Sequence, residues 1–216
     1  MCRLNDAAGL KLFKKDYERV KALAKGAYSS TSIKEIQAES LFTLARVSHV
    51  KADFDNANKF YERACKLAPN LSPARFGLAQ TLIYEGQYEE AAAHLRLMLG
   101  TTSSTSTDAL ALLGLLEIKN GKDFKGALTY LKRAVDLDPL NPELILLEAL
   151  AMQQQETYYN QSLEKYNKAV QLMIHSGKEV SYEIYANIGV LCHETKKLKD
   201  AMDMYAKVRT ILLVLI

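Results

Sequence analysis

Between Ala38 and Leu71 apolar residues recur at three- and four-residue spacing, with one break at Ala52-Asp53 and a stop at Pro69. That period predicts two amphipathic helices of about 14 residues each. With the stretch numbered 1 to 34, small residues fall at positions 8 (Ala45), 20 (Ala57) and 27 (Ala64), and large apolar ones at 4 (Leu41), 7 (Leu44), 17 (Phe54) and 24 (Tyr61). Small side chains let two antiparallel helices approach closely, and the large ones fill the space beside the contact.

The same register returns along the chain. Position 8 is Ala45, Ala79, Gly114, Ala149 and Gly189; position 20 is Ala57, Ala91, Ala127, Ser162 and Ala201. Position 17 is Phe54, Tyr88, Phe124, Tyr159 and Leu198; position 24 is Tyr61, Leu95, Leu131, Tyr166 and Tyr205. One extra residue in the inter-helix turns of the third and fourth repeats, and Ser106 between the second and third, keep the alignment, and loops absorb such insertions cheaply. This is the tetratricopeptide (TPR) pattern. The expected fold is all-α: a TPR solenoid, a right-handed superhelix of antiparallel helix pairs, with about five repeats after an N-terminal helix. Two residues depart from the pattern, Glu148 at a position 7 that should be apolar and Met98 at a position 27 that is usually Ala. They make the fourth repeat the weakest match.

The expected organisation is residues 1–37 as an N-terminal helix, 38–209 as repeats and 210–216 as an apolar tail. The helix is read over residues 6–28, with Leu10, Phe13, Tyr17, Val20, Leu23, Ala24 and Ala27 on one face and a turn at Ser29 to Ser32. All four prolines, Pro69, Pro73, Pro139 and Pro142, fall at repeat junctions. Ser72-Pro73 and Asn141-Pro142 read as a capping side chain followed by Pro at the first helical position, and Ser181 as the cap of the fifth repeat. Gly86 and Gly121 mark turns, and residues 100–107 (GTTSSTST) read as a polar linker. The six apolar residues Ile211 to Ile216 are too few to span a membrane; they are expected to form an uncapped end that promotes self-association.

A net charge of +3 is too small for a nucleic-acid footprint, so no direct nucleic-acid partner is expected. The most basic stretch, Lys11, Lys14, Lys15, Arg19, Lys21 and Lys25, is interleaved with Asp16 and Glu18 and reads as a solvated face. Cys2, Cys65 and Cys192 form no C-x-x-C pair, which suits a reducing compartment. No signal peptide or membrane span is visible. His49, His94, His175 and His193 are scattered without metal-ligand spacing, and no nucleophile elbow, phosphate loop or dinucleotide fingerprint occurs. Adjacent Cys192 and His193 diverge by about 100° on a helix, so they read as a core thiol beside a surface imidazole. The reading is a non-enzymatic chain with no metal and no cofactor.

The chemistry expected instead lies on the concave face built by the first helix of each pair. Positions 2, 5, 9 and 12 point into it. They give Glu39, Phe42, Arg46 and His49 in the first repeat, and Pro73, Phe76, Gln80 and Ile83 in the second. Asp108, Ala111, Leu115 and Ile118 follow in the third, and Glu183, Ala186, Val190 and His193 in the fifth. Glu39, Phe42, Arg46, His49, Phe76, Gln80 and Ile83 are the candidate partner-binding residues.

Beyond the repeat pattern, QAESLFTLARVSHVKADFDNA (37–57), FGLAQTLIYEGQYEEA (76–91) and LKRAVDLDPLNPE (131–143) resemble the Ctr-nine family. These are TPR scaffold subunits of the PAF complex, which accompanies RNA polymerase II during transcription elongation. DYERVKALAKGAY (16–28) and YEIYANIGVLCHE (182–194) fit in the same order. The resemblance implies a nuclear scaffold that binds other PAF-complex subunits, acts on the polymerase machinery indirectly and is linked to histone modification. The competing class is a TPR co-chaperone that grips an acidic C-terminal peptide with Lys, Asn and Asn at fixed positions. Phe42, Arg46 and Gly77 stand there instead.

Overall fold

The computed structural model describes residues 16–101, 105–121 and 123–214. Among these, no strand occurs, and the helices are α1 (Tyr17–Ser29), α2 (Lys34–Val50), α3 (Phe54–Leu67), α4 (Ser72–Tyr84), α5 (Tyr88–Thr101), α6 (Thr107–Asn120), α7 (Phe124–Leu137), α8 (Pro142–Met152), α9 (Tyr159–His175), α10 (Tyr182–Glu194) and α11 (Leu198–Val214). They fall into two compact units, Met1–Ala109 and Leu110–Ile216. In the first unit α1 packs on α2, α2 on α3, α3 on α4 and α4 on α5. In the second, α7 packs on α8, α8 on α9, α9 on α10 and α10 on α11.

The small-residue register is where each pair closes. Ala45, Ala79 and Ala149 are fully buried at position 8, as are Ala57, Ala91 and Ala127 at position 20. Gly114 and Gly189 sit under the position-24 side chain of their own repeat. A Cβ on Gly114 would lie 2.7 Å from Leu131 Cγ, and one on Gly189 2.6 Å from Tyr205 Cε1. Position 24 also faces the next repeat, since a side chain on Gly77 would run into the Tyr61 ring. Tyr61, Leu95, Leu131 and Tyr166 are accordingly buried, whereas Tyr205 is 43% exposed.

Position 15 makes the turn inside each pair. Gly86 and Gly121 are left-handed there, at φ +79° and +66°, and Ala52 and Lys196 adopt φ +58° and +61° without the freedom of glycine. In the fourth repeat a 3₁₀ turn at Glu156–Tyr158 takes up the extra residue instead. Asp53 and Asp123 then cap α3 and α7 by accepting from the backbone N–H of Asn56 and Gly126.

Several local expectations change. α2 starts at Lys34, ahead of Ala38, and α5 runs through Gly100 to Thr101, so the front of the expected linker is helical. Asn141 caps α8 through Glu143 N–H, but Ser72 lies inside α4, whose cap position is Leu71. Ser181 holds the cap position of α10 without bonding its backbone. α11 continues to Val214, so the described part of the expected apolar tail, with exposed Leu212 and Leu213, is helical. The front of the expected N-terminal helix, with Leu10 and Phe13, lies outside the described residues, as do Cys2 and Ile216.

The two departures from the pattern are both accommodated. Met98 is 4% exposed, filling its position with a flexible side chain. Glu148 is 1% exposed, and Lys165 reaches it from α9 with Nζ 2.6 Å from Oε2. Nearby, Ser162 Oγ donates to the Ala149 carbonyl and Tyr166 O–H to Gln153, both at 2.8 Å. The fourth repeat thus adds polar contacts to the apolar cluster of Ala149, Leu163 and Tyr166.

Candidate partner-binding groove

Phe42, Arg46 and His49 stand at i, i+4 and i+7 on α2 and form one stripe. Arg46 lies over the Phe42 ring, its guanidinium carbon 5.7 Å from the centroid, and Phe42 meets Tyr61 of α3 at 6.1 Å. Tyr61 is wedged behind the stripe, where burial pushes its phenol up to about 12 against the opposing pull of Arg46. His49 Nδ1 is 3.4 Å from the Tyr61 hydroxyl, and burial holds the imidazole below its ordinary pKa, which favours the neutral ring.

His49 also meets the rings of Phe54 and Tyr84 edge-on, at 5.7 Å and 6.3 Å. Those two stack on each other with centroids 4.2 Å apart and planes 17° from parallel. Tyr84 is nevertheless 68% exposed. It makes an aromatic ledge at the end of α4, beside half-buried Ile83 and Gln80.

Of the residues picked from sequence, the structure joins Phe42, Arg46 and His49 in one cluster. Phe76 is half-buried but enters no ring contact among the described residues, so Phe42 finds Tyr61 rather than Phe76 as its ring neighbour. Glu39 is exposed, one turn before Phe42. Sequence reasoning passed over Tyr84, Phe54 and Tyr61 as groove residues. The available signal was the aromatic at position 13 of the second repeat, next to Ile83.

Arg46 forms no ion pair among the described residues, and its planar cation is pre-placed for a carboxylate or carbonyl. The equivalent faces of the third and fifth repeats differ. Ala111 is buried, while Val190 and His193 are exposed, with no ring cluster around them among the described residues. Cys192 is buried and burial pushes its thiol up, so it is a packing residue. Among the described residues no group of three or more His, Cys, Asp or Glu is arranged to hold a metal, and no helix is long and apolar enough to cross a membrane.

Residues 51–116 match the tetratricopeptide-repeat family model, and the described helices pair in the all-α fold of such repeats. Such repeats form a non-catalytic scaffold fold for protein interactions. Within that class the chain resembles CTR9. It is 27% identical over 207 residues to Protein CTR9 homolog of Arabidopsis thaliana, covering 94% of this chain and 18% of the relative. It is also 27% identical over 219 aligned residues to RNA polymerase-associated protein CTR9 of Caenorhabditis elegans, covering 91% and 18%. The chain therefore spans under a fifth of the length of these relatives. PilF of Pseudomonas aeruginosa superposes with a TM-score of 0.79 over 97% of this chain and 90% of its own; at 17% identity that likeness concerns the fold alone.

Proposed function

We propose that this chain is the partner-binding TPR part of a CTR9-like scaffold, holding a segment of another PAF-complex subunit on the groove face of α2 and α4. In this reading it works in the nucleus, in transcription elongation and the histone modification coupled to it, and reaches RNA polymerase II through its partners. The observation that carries it is the exposed cation on an aromatic base: Arg46 over Phe42, beside His49 and the Phe54–Tyr84 stack. Aromatic and Arg anchors dominate the energetics of protein interfaces, and here both are held by their neighbours before a partner arrives.

The co-chaperone reading meets a steric objection. The clamp residue expected at Gly77 has no room for a side chain, because its Cβ direction is filled by Tyr61. The two readings separate when the immobilised chain is offered purified PAF-subunit segments and an acidic chaperone-tail peptide in parallel. Retention of a PAF segment and not the tail is expected; retention of the tail alone overturns the proposal.

A further inference from the structure

On the face of α2 roughly 180° away from Phe42 and Arg46, the helix presents Leu44, Val47 and Ser48, with Lys51 at its C-cap. This side does not belong to the groove. It lies between α1 and α3 and floors a cleft of about 220 Å³. Leu44, Val47 and half-buried Phe60 make the apolar base, while Lys21 and Lys25 of α1 and Lys51, just past the end of α2, stand around the edge.

The charge balance of that edge is uneven. Glu18 pairs with Lys51, whose Nζ is 2.6 Å from its carboxylate, and is drawn more weakly by the charges of Lys21 and Lys25. Asp53, the carboxylate that lines the cleft, accepts from the backbone N–H and the side-chain amide of Asn56 and so serves the N-terminus of α3. Lys21 and Lys25 enter no ion pair among the described residues, and both are exposed. They sit one helical turn apart, the spacing at which two carboxylates on a second helix can face them.

We propose that this cleft is a second docking site, for an acidic helical segment of a partner protein. Two carboxylates one turn apart on the segment pair with Lys21 and Lys25, and an apolar side chain between them enters over Leu44, Val47 and Phe60. Complementary charge sets orientation and encounter rate, and the apolar anchor supplies the desolvated contact. The isolated sequence reads these lysines as a solvated face because the cleft forms only when α1 lies beside α3.

The probe is a fluorescein-labelled helical peptide of about 14 residues, carrying Glu at i and i+4 around one Leu. Its controls have Lys in place of both Glu, or Ala in place of Leu. Fluorescence anisotropy against the whole chain is expected to show binding of the acidic peptide, about tenfold weaker in the Lys21→Glu, Lys25→Glu variant and in Phe60→Ala, and weakening as salt rises to about 0.5 M. Phe42→Ala, on the opposite face, leaves it unchanged, which separates this site from the groove. Thermal melts confirm that each variant is folded. Equal binding of either control peptide, undiminished binding by the folded double-lysine variant, or loss in Phe42→Ala each overturns the proposal.

Discussion

The first and fourth repeats close the same helix pair with different chemistry at position 7 and in the turn. In the first, Leu44, Ala45, Ala57 and Tyr61 make an apolar seam, and the turn is a single left-handed residue, Ala52. In the fourth, Glu148 takes the place of Leu44, Lys165 neutralises it, Ser162 ties down the Ala149 carbonyl, and a 3₁₀ turn replaces the left-handed residue. The fixed requirement is that the position-8 and position-20 backbones approach closely; whether the space beside them is filled by methyl groups or by a paired charge is free. A buried pair is costly to desolvate, however, and fragile to the loss of one partner.

That difference sets the largest expected effect. Lys165→Ala leaves Glu148 buried without its cation and should cost about 2 to 4 kcal/mol, more than the same change at any exposed lysine. Replacing the pair together, Glu148→Leu with Lys165→Met, should recover most of that loss. Denaturant unfolding of both variants checks this, and a double variant no better than the single would show that Glu148 is needed for more than filling space.

A smaller effect separates the units by pH. Burial lowers the pKa of His49, and burial with the nearby Arg75 guanidinium lowers that of His94, both in the first unit. The unfolded chain binds these protons more tightly. The first unit therefore keeps its full stability above the ordinary histidine pKa of about 6.5 and loses part of it as pH falls below that value. Melts between about pH 7.5 and 5.5 should show a decline that shrinks in the His49→Gln, His94→Gln variant. The smallest effect is at the turn: Ala52→Gly relieves a left-handed alanine and should raise stability by about 0.5 kcal/mol, offset in part by the entropy of glycine. An Ala52→Gly variant that melts lower than the parent would mean the turn is not strained.

The helix pairs and their register were legible because close approach admits only small residues, and Ala57, Ala91 and Ala127 recur in step with the buried Leu and Tyr positions. The side-chain cluster on α2 was legible in part. Phe42, Arg46 and His49 share a helix face by spacing alone. The Phe54–Tyr84 stack was not, since it joins the start of one helix to the end of another across a repeat boundary. Glu148 looked like a flaw for the same reason: Lys165 lies 17 residues away, on α9, and its approach to the carboxylate follows from the pairing and not from local sequence.

The central claim, that the cation–aromatic cluster on α2 is the binding surface, is tested by changing Phe42, Arg46 and Phe76 to Ala singly and measuring melting temperature and affinity for the captured PAF-subunit segment on the same samples. Arg46→Ala should leave the melt unchanged and lower affinity by about 2 kcal/mol, Phe42→Ala should lower affinity by as much with a modest loss of stability, and Phe76→Ala should do less. Full-strength binding by all three folded variants would contradict the account.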